Sequence, residues 1–132
     1  MSNHTSLTGN LTRDPELRYT TGGKAVANFG LAVNRRYQQG GEWQDDTSFF
    51  DVTAWGDLGE NIAHSVSKGQ RVTVTGRLDQ RSWETDAGEK RYKIEIVASD
   101  VAASMQFATL KITKTVREQA DHDDDHALEE AF

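Results

Sequence analysis

The chain has 132 residues, 21 Asp plus Glu against 15 Lys plus Arg, 11 glycines, one proline and no cysteine. That length leaves room for one domain with a real core, and the missing cysteine excludes disulfides, Cys-rich zinc sites and thiol catalysis. The net charge of −6 belongs to one end: residues 117–132 carry seven acids and one base, while residues 1–116 hold fourteen of each sign, so the acidic balance does not exclude a nucleic-acid partner.

The opening residues MSNHTSLTGN lack an apolar signal core, and no stretch approaches the roughly 18 apolar residues of a membrane span. A soluble cytoplasmic protein is the expectation. In chain order, a first strand is predicted near 4–11. Arg13-Asp14-Pro15-Glu16 then forms a turn, because proline pre-sets one dihedral. Residues 17–20 lead into Gly22-Gly23, a hairpin-turn signal. Over 24–34, Ala25, Ala27, Phe29, Leu31 and Val33 alternate onto one face, which reads as core. Residues 35–46 (RRYQQGGEWQDD) read as a polar hairpin loop. Over 47–55 Phe50, Val52 and Ala54 take the core side, leaving Phe49, Asp51, Thr53 and Trp55 on a partly wet face.

One helix is expected next. Asp57 and Glu60 have capping-box spacing. Leu58, Ile62, Ala63 and Val66 make a buried stripe, His64 falls on the surface, and Lys68-Gly69 closes the helix. Two long strands follow, over 70–84 and 90–98, joined by a turn at 85–89. Val72, Val74 and Leu78 form the core side of the first, and Gly76 marks a sharp bend. Tyr92, Ile94 and Ile96 share one face of the second. A last short strand is predicted over 104–113, from Met105, Phe107 and Leu110. The fold class is therefore all-β: a five-stranded OB-fold barrel with one helix between strands 3 and 4, plus an extra C-terminal strand and a disordered acidic tail. The domain covers 1–113 and the flexible tail 114–132.

The aromatics outside the core register are Tyr37, Trp43, Phe49, Trp55 and Trp83. Bases sit beside them: Arg35 and Arg36 before Tyr37, Arg77 and Arg81 before Trp83, and Arg91 and Lys93 on the neighbouring strand. Flat rings accept unstacked bases, at roughly 1–3 kcal/mol each and without sequence preference, while Arg and Lys neutralise the phosphates between them. The same rings could instead pack a core or an oligomer interface, and Arg18 could instead pair with Asp14 or Glu16. Single-stranded DNA binding is the leading reading. It predicts salt-sensitive affinity, with a log–log slope of about −0.7 per phosphate neutralised.

The ordered series Gly9-Asn10-Leu11-Thr12-Arg13-Asp14-Pro15-Glu16-Leu17-Arg18-Tyr19, Gly22-Gly23, Ala25-Val26-Ala27-Asn28-Phe29, Trp55-Gly56, Glu60-Asn61, Lys68-Gly69, Gly76-Arg77-Leu78 and Arg81-Ser82-Trp83 resembles the bacterial single-stranded DNA-binding proteins over residues 3–112. The resemblance implies a non-catalytic, homotetrameric OB-fold protein of replication, recombination and repair. It maps that family's stacking positions onto Phe49, Trp55 and Trp83, with Tyr37 near another. It likens residues 104–114 to a segment that clamps two subunits in one subgroup. The family's tail ends in acids and Pro-Phe. Here Glu129-Glu130-Ala131-Phe132 keeps the acids and the Phe without the proline. The expected DNA-binding set is Arg18, Arg35, Arg36, Tyr37, Phe49, Trp55, Arg77, Arg81, Trp83 and Lys93. Asp123, Asp124, Asp125, Glu129, Glu130 and Phe132 are expected to dock replication and repair proteins, or to compete with DNA for the cationic groove.

Two other classes compete. One is an OB-fold protein-interaction module of a replication-restart complex. The other is a metal-dependent nuclease using Asp45, Asp46 and Asp51, which a polar glycine-containing loop would hold poorly. No cofactor and no metal is expected, although His122 and His126 have helical ligand spacing.

Overall fold

Six strands and one helix make up most of residues 3–116, the part of the chain that the computed structural model describes. In chain order they are β1 (Thr5–Leu11), β2 (Glu16–Tyr19), β3 (Ala25–Gln39), β4 (Glu42–Trp55), α1 (Gly56–Ser65), β5 (Arg71–Glu84) and β6 (Lys90–Ala103). The sheet runs β1-β5-β6-β4-β3-β2, and β1 also pairs with β3 through Asn10↔Ala32 and Leu11↔Leu31. That second pairing closes a barrel of β1, β3, β4, β6 and β5. β2 hydrogen-bonds to β3 outside it. The helix connects the third barrel strand to the fourth, the OB-fold arrangement. All pairings are antiparallel except β4 with β6, which run parallel from Asp51↔Glu95 to Thr53↔Val97.

Alternation fills the barrel as the sequence predicts. Ala25, Ala27, Phe29 and Leu31 of β3, Val52 and Ala54 of β4, Val72 and Val74 of β5 and Ile96 of β6 are all buried, and Ile62 of α1 plugs one end. Gly59 allows that plug to seat. A Cβ there would stand 2.6 Å from the Ala54 carbonyl oxygen, so only glycine lets the helix approach this closely. Gly76 marks the bend: the β5–β6 register shifts between Thr75 and Gly76, and a Cβ on Gly76 would collide with the Val97 carbonyl oxygen.

Past this bulge the β5–β6 hairpin leaves the closed barrel. Leu78, expected on the core side, is therefore 42% exposed, and Tyr92 and Ile94, which share a face with the buried Ile96, are exposed at 61% and 62%.

Four further expectations are corrected. Residues 35–46 are strand rather than loop: β3 and β4 stay paired to Gln39↔Glu42 and turn through Gly40-Gly41, with φ of +60° and +81°, the two left-handed residues of a tight hairpin turn. Both faces of this projecting ribbon are wet, so no hydrophobic alternation betrays it. The capping box does not form, because the helix starts two residues early and Trp55, not Asp57, occupies the N-cap, without a side-chain hydrogen bond. Asp57 lies within the first turn, where its charge still favours the helix dipole, and Glu60 accepts from the Tyr19 hydroxyl at 3.5 Å.

At its other end the helix stops at Ser65. Gly69, with φ of +89°, serves the turn into β5 and donates to the Leu11 carbonyl. Finally, residues 104–113 are not a strand. After Ser104 N–H bonds the Arg71 carbonyl, the segment joins no ladder, and Met105, Phe107 and Ile112 are exposed. The extra strand outside the barrel is β2. The acidic residues from 117 onward, His122 and His126 included, lie outside the described residues.

Candidate nucleic-acid interface

Strand parity sorts the candidate residues. Val52, Ala54 and Ile96 point into the barrel, so their neighbours point out. The outward face of β4 carries Trp43, Asp45, Phe49, Asp51, Thr53 and Trp55. Register brings Arg91, Lys93 and Glu95 of β6 beside it, then Arg77, Asp79, Arg81 and Trp83 of β5. Trp83 is opposite Arg91, and Arg81 is opposite Lys93. Phe49 is 73% exposed, Trp55 41% and Trp83 48%, which leaves each ring with an open flank. Trp83 and Phe49 lie toward one end of the face and Trp55 toward the other. At roughly 3.3 Å per residue the line from Trp83 to Trp55 spans about 25–30 Å, a length suited to several nucleotides.

The expected residues do not all meet. Arg18 lies level with Trp55 on the same face, through Arg18↔Val26 and Val26↔Trp55. Arg36 also shares this face, with its guanidinium 5.1 Å from the Trp43 ring. Arg35 and Tyr37 have the opposite parity. They turn to the other side of the β3–β4 hairpin, where the guanidinium sits 4.9 Å from the Tyr37 ring. Two cations that the sequence reading passed over belong here. Lys24 Nζ is 5.0 Å from the Trp55 ring. Arg13, read as a turn residue, reaches Asp51 from the loop after β1. Nothing in the local pattern signals either, because the barrel's closure brings them in.

Most of these bases are met by an acid. Arg18 lies 3.4 Å from Glu16, Arg35 3.7 Å from Asp46, and Arg36 3.9 Å from Asp45. Arg77 lies 3.8 Å from Asp79 and Arg81 3.8 Å from Glu95. Asp51 takes both Lys93 at 2.9 Å and Arg13 at 3.4 Å. The Lys93 hydrogen bond, with Lys93's charge and Arg13 adding to it, holds the Asp51 carboxyl below its ordinary range against the opposing effect of burial. Asp45, Asp46 and Asp51 are thus tied to bases, and Asp46 faces away from the other two. Among the described residues no group of three or more acids and histidines is placed to hold a metal ion.

Beneath the face runs a buried polar chain. Thr53 and Glu95 are 6% and 8% exposed, and Thr53 Oγ1 lies 2.9 Å from Asn28 Oδ1 and 3.2 Å from Glu95 Oε2. The chain holds the Glu95 carboxylate, which lies 3.8 Å from the Arg81 guanidinium.

Comparison with known proteins places the chain in a family. Residues 2–107 match the family described as "Single-strand binding protein family". The "Single-stranded DNA-binding protein" of Mycolicibacterium smegmatis is 46% identical over 122 residues, covering 89% of this chain and 74% of the relative. The protein of that name in Mycobacterium leprae is 45% identical over 122 residues, covering 89% and 73%. That of Corynebacterium glutamicum is 46% identical over 115 residues, covering 85% and 51%.

Proposed function

The chain belongs to the single-strand binding protein family, and from that premise we propose how it binds single-stranded DNA. A strand lies across the outward face of β5, β6 and β4 and stacks bases on Trp83, Phe49 and Trp55. Arg18, Arg36, Arg77, Arg81 and Lys93 take the phosphates, and Arg35 with Tyr37 extends the contact around the projecting hairpin. The activity is binding without catalysis. One observation carries this reading: three half-open aromatic rings share one outward face with a bank of bases. Stacking on rings does not depend on base identity, which suits binding without sequence preference.

Residues 1–113 act as the DNA-binding domain and 114–132 as an acidic tail. Asp123, Asp124, Asp125, Glu129, Glu130 and Phe132 recruit replication, recombination and repair proteins to the covered strand, in the cytoplasm and on the nucleoid. The working assembly is a homotetramer. The exposed apolar side chains of Leu78, Tyr92, Ile94, Met105, Phe107 and Ile112 support that, since a monomer would leave this surface in water.

The test is a titration with dT oligomers of increasing length, followed by tryptophan emission and light scattering. Emission should be quenched once the oligomer spans the rings, at a mass near four chains. Equal affinity for a duplex would overturn the reading, because a duplex hides the flat faces of its bases.

A further inference from the structure

The acids of the binding face stand in a row. Asp79 is opposite Glu95 across β5–β6, and Glu95 is opposite Asp51 across β6–β4. All three share the face of Phe49, Trp55 and Trp83. Arg77, Arg81, Lys93 and Arg13 close onto them at 3.8, 3.8, 2.9 and 3.4 Å. We propose that the row Asp79–Glu95–Asp51 is a built-in set of counter-anions that DNA phosphates must displace, so that it sets the affinity of the groove and flattens its dependence on salt. The inference rests on the reading of this face as the strand-binding surface.

A free base that meets a phosphate releases about 0.7 of a condensed cation from a single strand, and that release makes protein–DNA affinity fall with salt. These four bases are not free. A phosphate that takes Lys93 from Asp51 leaves a carboxylate to attract a cation of its own, which cancels part of the release. Salt also screens the pair that breaks and the pair that forms alike. Four unpaired bases would contribute a log–log slope of about −3. Four exchanged pairs contribute about half of that or less. The acids also have a positioning role. Long cationic side chains on an open sheet would otherwise wander, whereas Glu95, fixed by Thr53, and Asp51, fixed by two bases, keep Arg81 and Lys93 beside the rings before DNA arrives. An exposed ion pair is weak enough to be exchanged: breaking one weakens binding roughly 1.5- to 5-fold.

The experiment measures binding of a labelled dT oligomer to the full chain by anisotropy, at a series of KCl concentrations. Asp51→Asn, Asp79→Asn and Glu95→Gln each keep the side chain's shape while removing its charge. Asp100→Asn on β6 is the control, since none of the ion pairs among Arg13, Arg77, Arg81 and Lys93 involves Asp100. Asp51→Asn should tighten low-salt binding about 3- to 10-fold and the other two about 1.5- to 5-fold. Each should steepen the slope, and Asp100→Asn should do neither.

The gain from Asp51→Asn should vanish in a chain that also carries Lys93→Ala and Arg13→Ala, because there is then no base to unmask. Should Glu95→Gln fail to fold, the two exposed aspartates carry the test. A gain that persists without Lys93 and Arg13, or that Asp100→Asn reproduces, would mean general charge repulsion and would overturn the proposal. A wild-type slope of about −3 or steeper, with the amide variants unchanged, would overturn it while leaving strand binding intact. A wild type that does not bind the oligomer would end both.

Discussion

Cutting Trp83 back to alanine should separate binding from folding. The residue lies on β5 beyond the Gly76 bulge, outside the closed barrel, and is 48% exposed. Its open half is the surface a base would cover. Losing one base–ring stack costs about 1–3 kcal/mol, which is about 5- to 150-fold in Kd. The cost to folding is smaller, because only the covered half of the ring returns to water. Full burial of a large side chain is worth roughly 1.5–3 kcal/mol, so half of it is about 1–1.5 kcal/mol, a fall of about 10 °C or less in Tm. Phe29→Ala, at a fully buried core position, should by contrast cost about 3–5 kcal/mol. Anisotropy of a labelled dT oligomer is the right assay, since the variant lacks a reporting tryptophan, with thermal melting by circular dichroism alongside. Trp83→Phe should keep affinity within about fivefold, because a flat ring remains to stack. Unchanged affinity in Trp83→Ala would refute the stacking argument. So would a melt that collapses like that of Phe29→Ala, because the ring would then belong to the core.

Other perturbations test the frame around the rings. Thr53→Val keeps the shape but strips Asn28 and the buried Glu95 of their shared partner. It should cost about 1–3 kcal/mol in urea unfolding, with Thr53→Ser restoring most of the loss. Gly76→Ala drives a methyl into the Val97 carbonyl, where both strands are held by their ladder. A loss of about 3 kcal/mol, or no soluble protein, is expected. Asp51 has a folded pKa below its ordinary 3.8, so its ion pairs contribute fully above that value and are lost as the pH falls through the lower folded one. The side chain is 38% exposed, so the contribution after screening is at most about 1 kcal/mol. The Tm gap between wild type and Asp51→Asn should stay constant from neutral pH to about 5 and close in more acid solution.

What could be read from the sequence follows what burial imposes on it. Phe29, Leu31, Val52, Val72 and Ile96 had to be apolar and alternate because one side of each strand fills the barrel, and that pattern is visible without coordinates. Where the strands run past the barrel, that constraint lapses. Residues 35–46 have water on both faces, so their strand character left no trace beyond Gly40-Gly41, and Leu78, read as core, is half-exposed for the same reason. The helix was legible from its stripe, but its start was misjudged because Asp57 and Glu60 have the spacing of a cap without occupying the N-cap. The segment 104–113 has the composition of a strand and no ladder to join, since a strand is a property of a pair and the sequence of one partner cannot supply the other.

The same limit applies to the binding face. Exposed rings and bases were legible as residue types, yet apart from Glu16 beside Arg18 the acids that meet them were not, because a carboxylate's partner across strands is fixed by register. Asp51 and Lys93 are far apart in sequence and meet only through the parallel β4–β6 pairing. The consequence reaches the acidic end of the chain. A groove whose bases are already satisfied gains little from one more carboxylate, so a tail of acids must displace the same pairs a phosphate displaces, without a base to stack. Charge alone therefore cannot let the groove prefer DNA to the chain's own acidic residues. On the proposed reading that preference comes from Trp83, Phe49 and Trp55, whose open flanks would take the flat face of a base and have nothing equivalent to gain from Asp or Glu.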